Sequence, residues 1–154
     1  MSENISWNIR SVELGDEAGW KKLFRAYRDF YKYAPDEDVV AQIWDWIFDD
    51  SRVTQALVAA DANNEVVGIA NIRVFPRNLV AGKALWLDDL FTLPELRGKG
   101  VARALLDALK DKANAEGYNA VRWITAEDNS QARELYDKVA QKTVWVTYDL
   151  KLDA

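Results

Sequence analysis

Between an apolar strand, Ala84 to Thr92, and the first turn of a helix lies Leu93, Pro94, Glu95, Leu96, Arg97, Gly98, Lys99, Gly100, Val101, Ala102, Arg103. This strand–turn–helix unit reads as a phosphate cradle. Gly98 and Gly100 let the backbone approach a ligand closely, and the helix that follows presents unpaired N–H groups and the positive end of its dipole to an anion. Arg97, Lys99 and Arg103 add three positive charges with no acid among them, in a chain of formal net charge −5. That local reversal of sign points to an anionic ligand rather than to a general basic surface.

Of two well-known phosphate loops, one is excluded and the other disfavoured. A P-loop ends in Gly-Lys-Ser or Gly-Lys-Thr, whereas Lys99 is followed by Gly100 and Val101. A dinucleotide fingerprint counted from Gly98 needs a small sixth residue and meets Arg103 instead.

The 154 residues, 49% apolar, suit one globular domain, expected over 1–154. No apolar run is long enough for a membrane span, and Met1, Ser2, Glu3, Asn4 lack the layout of a signal peptide, so a cytoplasmic location without membrane attachment is expected. The chain has no Cys and no His, which removes disulfides, thiolate nucleophiles, imidazole bases and most zinc or haem sites. Acid–base work must fall to carboxylate, Tyr, Lys or water, and no metal is expected. A pI near 4.8 argues against nucleic acid and suits a cationic substrate.

Periodicity predicts a strand over 7–12, a helix over 16–31 with Trp20, Leu23, Phe24, Tyr27, Phe30 and Tyr31 inward, and a second helix from Pro35 to near Ser51. The runs 55–60 and 66–74 form a hairpin around Asp61–Glu65, whose Asn pair suits left-handed turn conformations. A strand over 84–92, a helix over 101–116 capped by Gly117, a strand over 120–124, a helix over 130–140 with Ala132, Leu135, Tyr136 and Val139 inward, and a closing strand over 143–152 complete the chain. The order β-α-α-β-β-β-α-β-α-β is mixed α/β.

Arg97, Gly100 and Ala102 spell Arg-x-x-Gly-x-Ala behind the strand Trp86 to Thr92, and this resembles the GCN5-related N-acetyltransferase (GNAT) family. The element order is that family's over nearly the whole chain. The resemblance implies a mostly antiparallel central sheet with helices on both faces. It also implies a pyrophosphate of acetyl-CoA held by the turn from Arg97 through Gly98, Lys99, Gly100, Val101 and Ala102 to Arg103, with the strand end Leu90, Phe91, Thr92 beside the thioester. Ala126 to Tyr136 resembles the family's late motif, in which Asn129 contacts the cofactor and Tyr136 protonates the departing thiolate; from the residues alone they are a helix cap and a core aromatic. The family often has Gly after this helix, where this chain has Val139, Ala140, Gln141.

Leu87, Asp88, Asp89, Leu90, Phe91 resembles the acidic pair of the spermidine/spermine branch, and the aromatic first helix resembles histone and polyamine members. An alkylamine with a pKa of about 10.4 must lose a proton before it attacks. Asp88 is assigned as base, acting through water, and Asp89 as a substrate-binding group. Strand alternation sends the two to opposite faces unless a bulge realigns them, and such a bulge would also offer N–H groups near Leu90 and Phe91 to polarise the thioester. The reading is direct acetyl transfer to a primary amine, either a polyamine, a lysine-like side chain or another small cationic amine. The acids Asp36, Glu37, Asp38, Asp45, Asp49 and Asp50 around the second helix either border the acceptor or form that helix's wet face. A shared edge strand would make a homodimer. A catalytically silent acyl-CoA sensor would keep Arg97, Gly100 and Asn129 but not need Asp88 or Tyr136, and a plain interaction module would use the turn only as a loop.

Overall fold

The alternating runs on either side of Asp61–Glu65 pair as an antiparallel hairpin because Asp61 closes the turn: its Oδ1 accepts from the N–H of Asn63 at 2.9 Å and of Glu65 at 3.0 Å. Asn64 takes the left-handed conformation at φ 61°, which Asn tolerates better than most residues. In the computed structural model, which describes residues 6–153, this hairpin lies in the first of two compact units, Met1–Ile124 and Thr125–Ala154.

The first unit contains β1 (Asn8–Ser11), α1 (Glu17–Phe30), α2 (Glu37–Ile47), β2 (Thr54–Ala60), β3 (Val66–Arg77), β4 (Gly82–Thr92), α3 (Val101–Glu116) and β5 (Val121–Arg122). The strands form one sheet in chain order, antiparallel except for β5 beside β4. Helices cover both faces. On one, Trp20, Leu23 and Phe24 of α1 and Val40 and Trp44 of α2 pack over Ala56, Val58, Ile69 and Phe91. Trp20 and Leu23 are wholly buried, each contributing roughly 2–3 kcal/mol by leaving water. Trp20 stacks on Phe24 at 4.9 Å. On the other face α3 lies close because β3 carries glycine there. A Cβ at Gly68 would stand 2.6 Å from Val101 Cγ1 and 3.2 Å from Leu105 Cδ1.

Helix boundaries follow capping chemistry. Asp36 caps α2 by accepting from Asp38 and Val39 N–H, so that helix begins one residue beyond Asp36 and not at Pro35. Gly117, at φ 75°, ends α3 as expected. A short 3-10 turn, Leu14–Asp16, leads into α1. Asp16, only 7% exposed, is clamped by both terminal guanidinium nitrogens of Arg10, Nη1 and Nη2, at 2.7 and 2.9 Å and accepts from Glu13 N–H at 2.8 Å, tying β1 to the start of α1.

Two expectations are corrected. Residues 143–152 form no strand: alternation shows that a stretch can line a sheet, but a strand needs a ladder partner, and Val144, Trp145, Val146, Tyr148, Leu150 and Leu152 are exposed. In the second unit α4 (Ser130–Val139) keeps its expected inward face: Ala132, Leu135, Tyr136 and Val139 are half-buried, while Ser130, Gln131, Glu134, Asp137 and Lys138 are exposed. Phe30 and Tyr31 are 48% and 36% exposed rather than inward.

The Arg10 hydrogen bonds hold the Asp16 carboxyl below its ordinary value near 3.8, against the opposing effect of burial. A lowered acid stabilises the fold fully above its unfolded value and loses that contribution as pH falls through the folded value. Asp16→Ala is therefore expected to lower the unfolding free energy by about 3 kcal/mol near neutrality. In urea melts the deficit should shrink below pH 3.8; a deficit independent of pH would show that the ion pair is not its source.

Candidate active site

The ladder between β3 and β4 carries one residue too many on β4. Asn71 faces Asp89 and Ile72 faces Leu87, leaving Asp88 without an opposite residue. This is the bulge that sequence could only pose as a condition, and it turns both carboxylates to one face. Asp88 meets Arg73, whose Nε donates to Oδ1 at 3.2 Å and Oδ2 at 3.1 Å, while Asp89 Oδ2 accepts from Asn71 Nδ2 at 3.0 Å. Asn71 and Arg73 alternate onto the same side of β3, so their two acidic partners share it. It is the α1 side, since Trp20 Nε1 donates to Asn71 Oδ1 at 3.0 Å. A bulge also disrupts the local ladder, which loosens the backbone N–H groups around it.

Both carboxyls are pushed above their ordinary range. For Asp88 burial is the main cause, opposed by the hydrogen bond and charge of Arg73. For Asp89 burial again leads, opposed by Asn71 donation, reinforced by the Asp88 charge and opposed by the Tyr27 hydroxyl. The Tyr27 hydroxyl also donates to the Asp88 carbonyl at 3.4 Å. Two like charges at a bulge beside an aromatic core each hold a proton more readily than a free carboxylate does.

Beyond the bulge β4 runs through Leu90, Phe91 and Thr92 into the glycine-bearing turn. Phe91 is buried against Tyr27 and Phe30, so only its backbone is placed to meet a ligand, and Leu90 pairs with Ala70. Thr92 Oγ1 is buried with no hydrogen-bond partner among the described residues. Gly98 and Gly100 adopt φ 78° and 86°, and a Cβ on either would meet nothing within 4 Å; the conformation, not crowding, calls for glycine. The first bond of α3 runs from Ala104 N–H to the Gly100 carbonyl at 3.0 Å, so the N–H groups of Val101, Ala102 and Arg103 precede the helical ladder. Val101 is anchored in the core, whereas Ala102 and Arg103 lie further out. Arg97, Lys99 and Arg103 form no ion pair among the described residues; the Arg97 guanidinium rests over Phe30 and Phe91 at 5.5 and 5.3 Å. Trp7 Nε1 pins the turn by donating to the Lys99 carbonyl at 3.0 Å. An open, glycine-lined turn with unpaired N–H groups and uncompensated cations fits the pyrophosphate of a CoA thioester.

Asn129 and Tyr136 belong to the second unit. Asn129 caps α4, its Oδ1 accepting from Ala132 N–H at 3.4 Å and its Nδ2 donating to Thr125 Oγ1 at 3.4 Å, which is the helix-cap role. Tyr136 lies on α4, seven residues along. The acids around α2 are partly spent on structure: Asp36 caps the helix, Glu37 pairs with Arg25 at 2.7 Å, and Asp49 accepts from Ser51. Asn71, Arg73 and the Tyr27 hydroxyl were not anticipated as site residues. The available signal was Asn71, a polar residue in the middle of the apolar run Val66–Ile72, where only a partnered amide is tolerated. No group of three or more Asp or Glu among the described residues is arranged to hold a metal ion, and no described helix is long and apolar enough to cross a membrane.

The Acetyltransferase (GNAT) family model matches residues 20–140. The chain is 28% identical over 141 residues to the D-amino-acid N-acetyltransferase HPA3 of Saccharomyces cerevisiae, covering 91% of this chain and 88% of that protein. It is 29% identical over 149 residues to YhfO, an uncharacterized N-acetyltransferase of Bacillus subtilis, covering 96% and 99%. In fold it resembles AAC(6')-Iy in complex with the bisubstrate analog CoA-S-monomethyl-acetylneamine, with a TM-score of 0.78, 18% identity and coverage of 96% and 99%. The bulged acidic strand, the cradle that follows it and these similarities converge: the chain belongs to the GNAT family and is an acetyl-CoA-dependent N-acetyltransferase.

Proposed function

We propose that the protein, acting over 1–154 as one acetyltransferase domain in the cytoplasm and as a homodimer, transfers the acetyl group directly to a primary amine. The acceptor is a polyamine, a lysine-like side chain or another small amine, in solution or on a peptide. The bulge at Asp88 carries this reading, because it collects two proton-accepting carboxylates on one face immediately before the cradle. Asp88 takes the ammonium proton, directly or through water, and Asp89 holds the amine. Backbone N–H groups at Leu90 and Phe91 polarise the thioester carbonyl as the C–N bond forms. With the C–S bond broken, Tyr136 returns a proton to the thiolate, a role that rests on the family resemblance. Arg97, Gly98, Lys99, Gly100, Val101, Ala102 and Arg103, together with Thr92 and Asn129, hold the cofactor. The name of the yeast relative, an enzyme of amino acids, supports a small acceptor.

With both carboxyls raised, protonation should extinguish the base at a pH above the ordinary 3.8. The acid limb of kcat/KM is therefore expected above that value, with activity falling as pH falls. Asp88→Asn should lower kcat about 100-fold and remove that limb; loss of the limb in Asp89→Asn alone would transfer the role to Asp89.

Gly100→Glu, which forces a side chain into φ 86° and a negative charge into the cradle, should abolish the heat of acetyl-CoA binding in calorimetry while a urea melt still shows a folded protein. Undiminished binding would remove the turn from the cofactor site. Tyr136→Phe should lower kcat with little change in acetyl-CoA affinity, and an unchanged kcat would end its assignment as proton donor.

A further inference from the structure

Arg73 lies on the site face of β3, and neither the element pattern nor the acetyl-transfer chemistry calls for a cation there. Its guanidinium is held from two directions. Nε donates to both oxygens of Asp88, and the group lies over the Trp86 ring at 5.4 Å, with Phe75 set edge-on to that ring at 5.9 Å. Its terminal nitrogens, Nη1 and Nη2, have no partner among the described residues, and the side chain keeps 41% of its surface exposed. A guanidinium pinned through Nε and stacked on an aromatic ring presents the planar pair of Nη donors that matches a carboxylate in bidentate geometry. Because the fork is already ordered, little side-chain entropy remains to be lost on binding.

We propose that Arg73 is the acceptor-recognition residue and that the amine this enzyme acetylates carries a carboxylate beside it, as an α-amino acid does. This rests on the acetyl-transfer reading above and narrows its acceptor. Arg73 and Asn71, the partner of Asp89, are two positions apart on β3, about 7 Å along the strand. The amine and carboxylate of an α-amino acid are separated by two covalent bonds. With its amine at the carboxylates Asp88 and Asp89, such an acceptor brings its own carboxylate within reach of the Nη pair. A polyamine in the same pose would set a second ammonium against the guanidinium, a like-charge contact that opposes binding.

The test compares matched acceptors by thiol release: both enantiomers of alanine, leucine and phenylalanine, the carboxamide of each, and spermidine. The wild type should prefer acid over carboxamide by roughly 10- to 150-fold in kcat/KM, the span expected of hydrogen bonds to a charged group. Arg73→Gln should bring that ratio towards one, mainly through KM, and Arg73→Lys should restore part of it. A wild-type ratio near one, a preference for spermidine, or a ratio unchanged in Arg73→Gln would overturn the proposal. The wild-type comparison decides even where a variant fails to fold. Acetyl-CoA binding with acetylation confined to carboxylate-free amines would overturn this inference alone, whereas no acetyl-CoA binding would overturn the acetyl-transfer reading and this inference with it.

Discussion

An antiparallel ladder alternates its side chains strictly, so one unmatched residue changes which face every later side chain of its strand occupies. The extra residue at Asp88 does this in β4: upstream of it Leu87 lies opposite Ile72, and downstream Asp89 lies opposite Asn71. Without it, one of the two acids would face α3 and the apolar packing around Val101 and Leu105. With it, both face α1, and Phe91 still falls into the aromatic core. The bulge thus serves packing and chemistry together, which is why the site can sit in the middle of a sheet rather than on a loop.

The cost of that placement is polar burial, and the fold offsets it with a chain of donors. Trp20, wholly buried, donates to Asn71, and Asn71 donates to Asp89. Removing either link would orphan a buried polar group, at about 1–3 kcal/mol. Trp20 also stacks on Phe24 and tilts against Trp44, so the same indole that fixes the core fixes the orientation of an acid at the site. Burial then raises the proton affinity of Asp89 beyond what its hydrogen bonds lower.

Downstream, the polarity reverses within a few residues. Two carboxylates at the bulge give way to three cations and the open N-terminus of α3, so one strand–turn–helix unit sets an anionic stretch directly beside a cationic one. Close approach of α3 depends on Gly68, since any larger residue would lift Val101 from the sheet and move the cradle with it.

Much of this was legible in the residues. Strands and helices of the first unit follow from apolar periodicity, the cradle from Gly98, Gly100 and its uncompensated cations, and the acid pair from its place before the turn. These are local properties, set by backbone preference and side-chain type. Three matters were not. The closing strand over 143–152 failed because alternation carries no information about whether a ladder partner exists. The shared face of Asp88 and Asp89 depended on a register that only pairing with β3 sets. The roles of Asn71 and Arg73 came from partners 18 and 15 residues away across the sheet. The sequence by itself determined the elements of the first unit, the charge reversal and the family; only the tertiary structure decided which face the acids share and what holds them, because register and cross-strand contact are properties of two segments together and are written in neither alone.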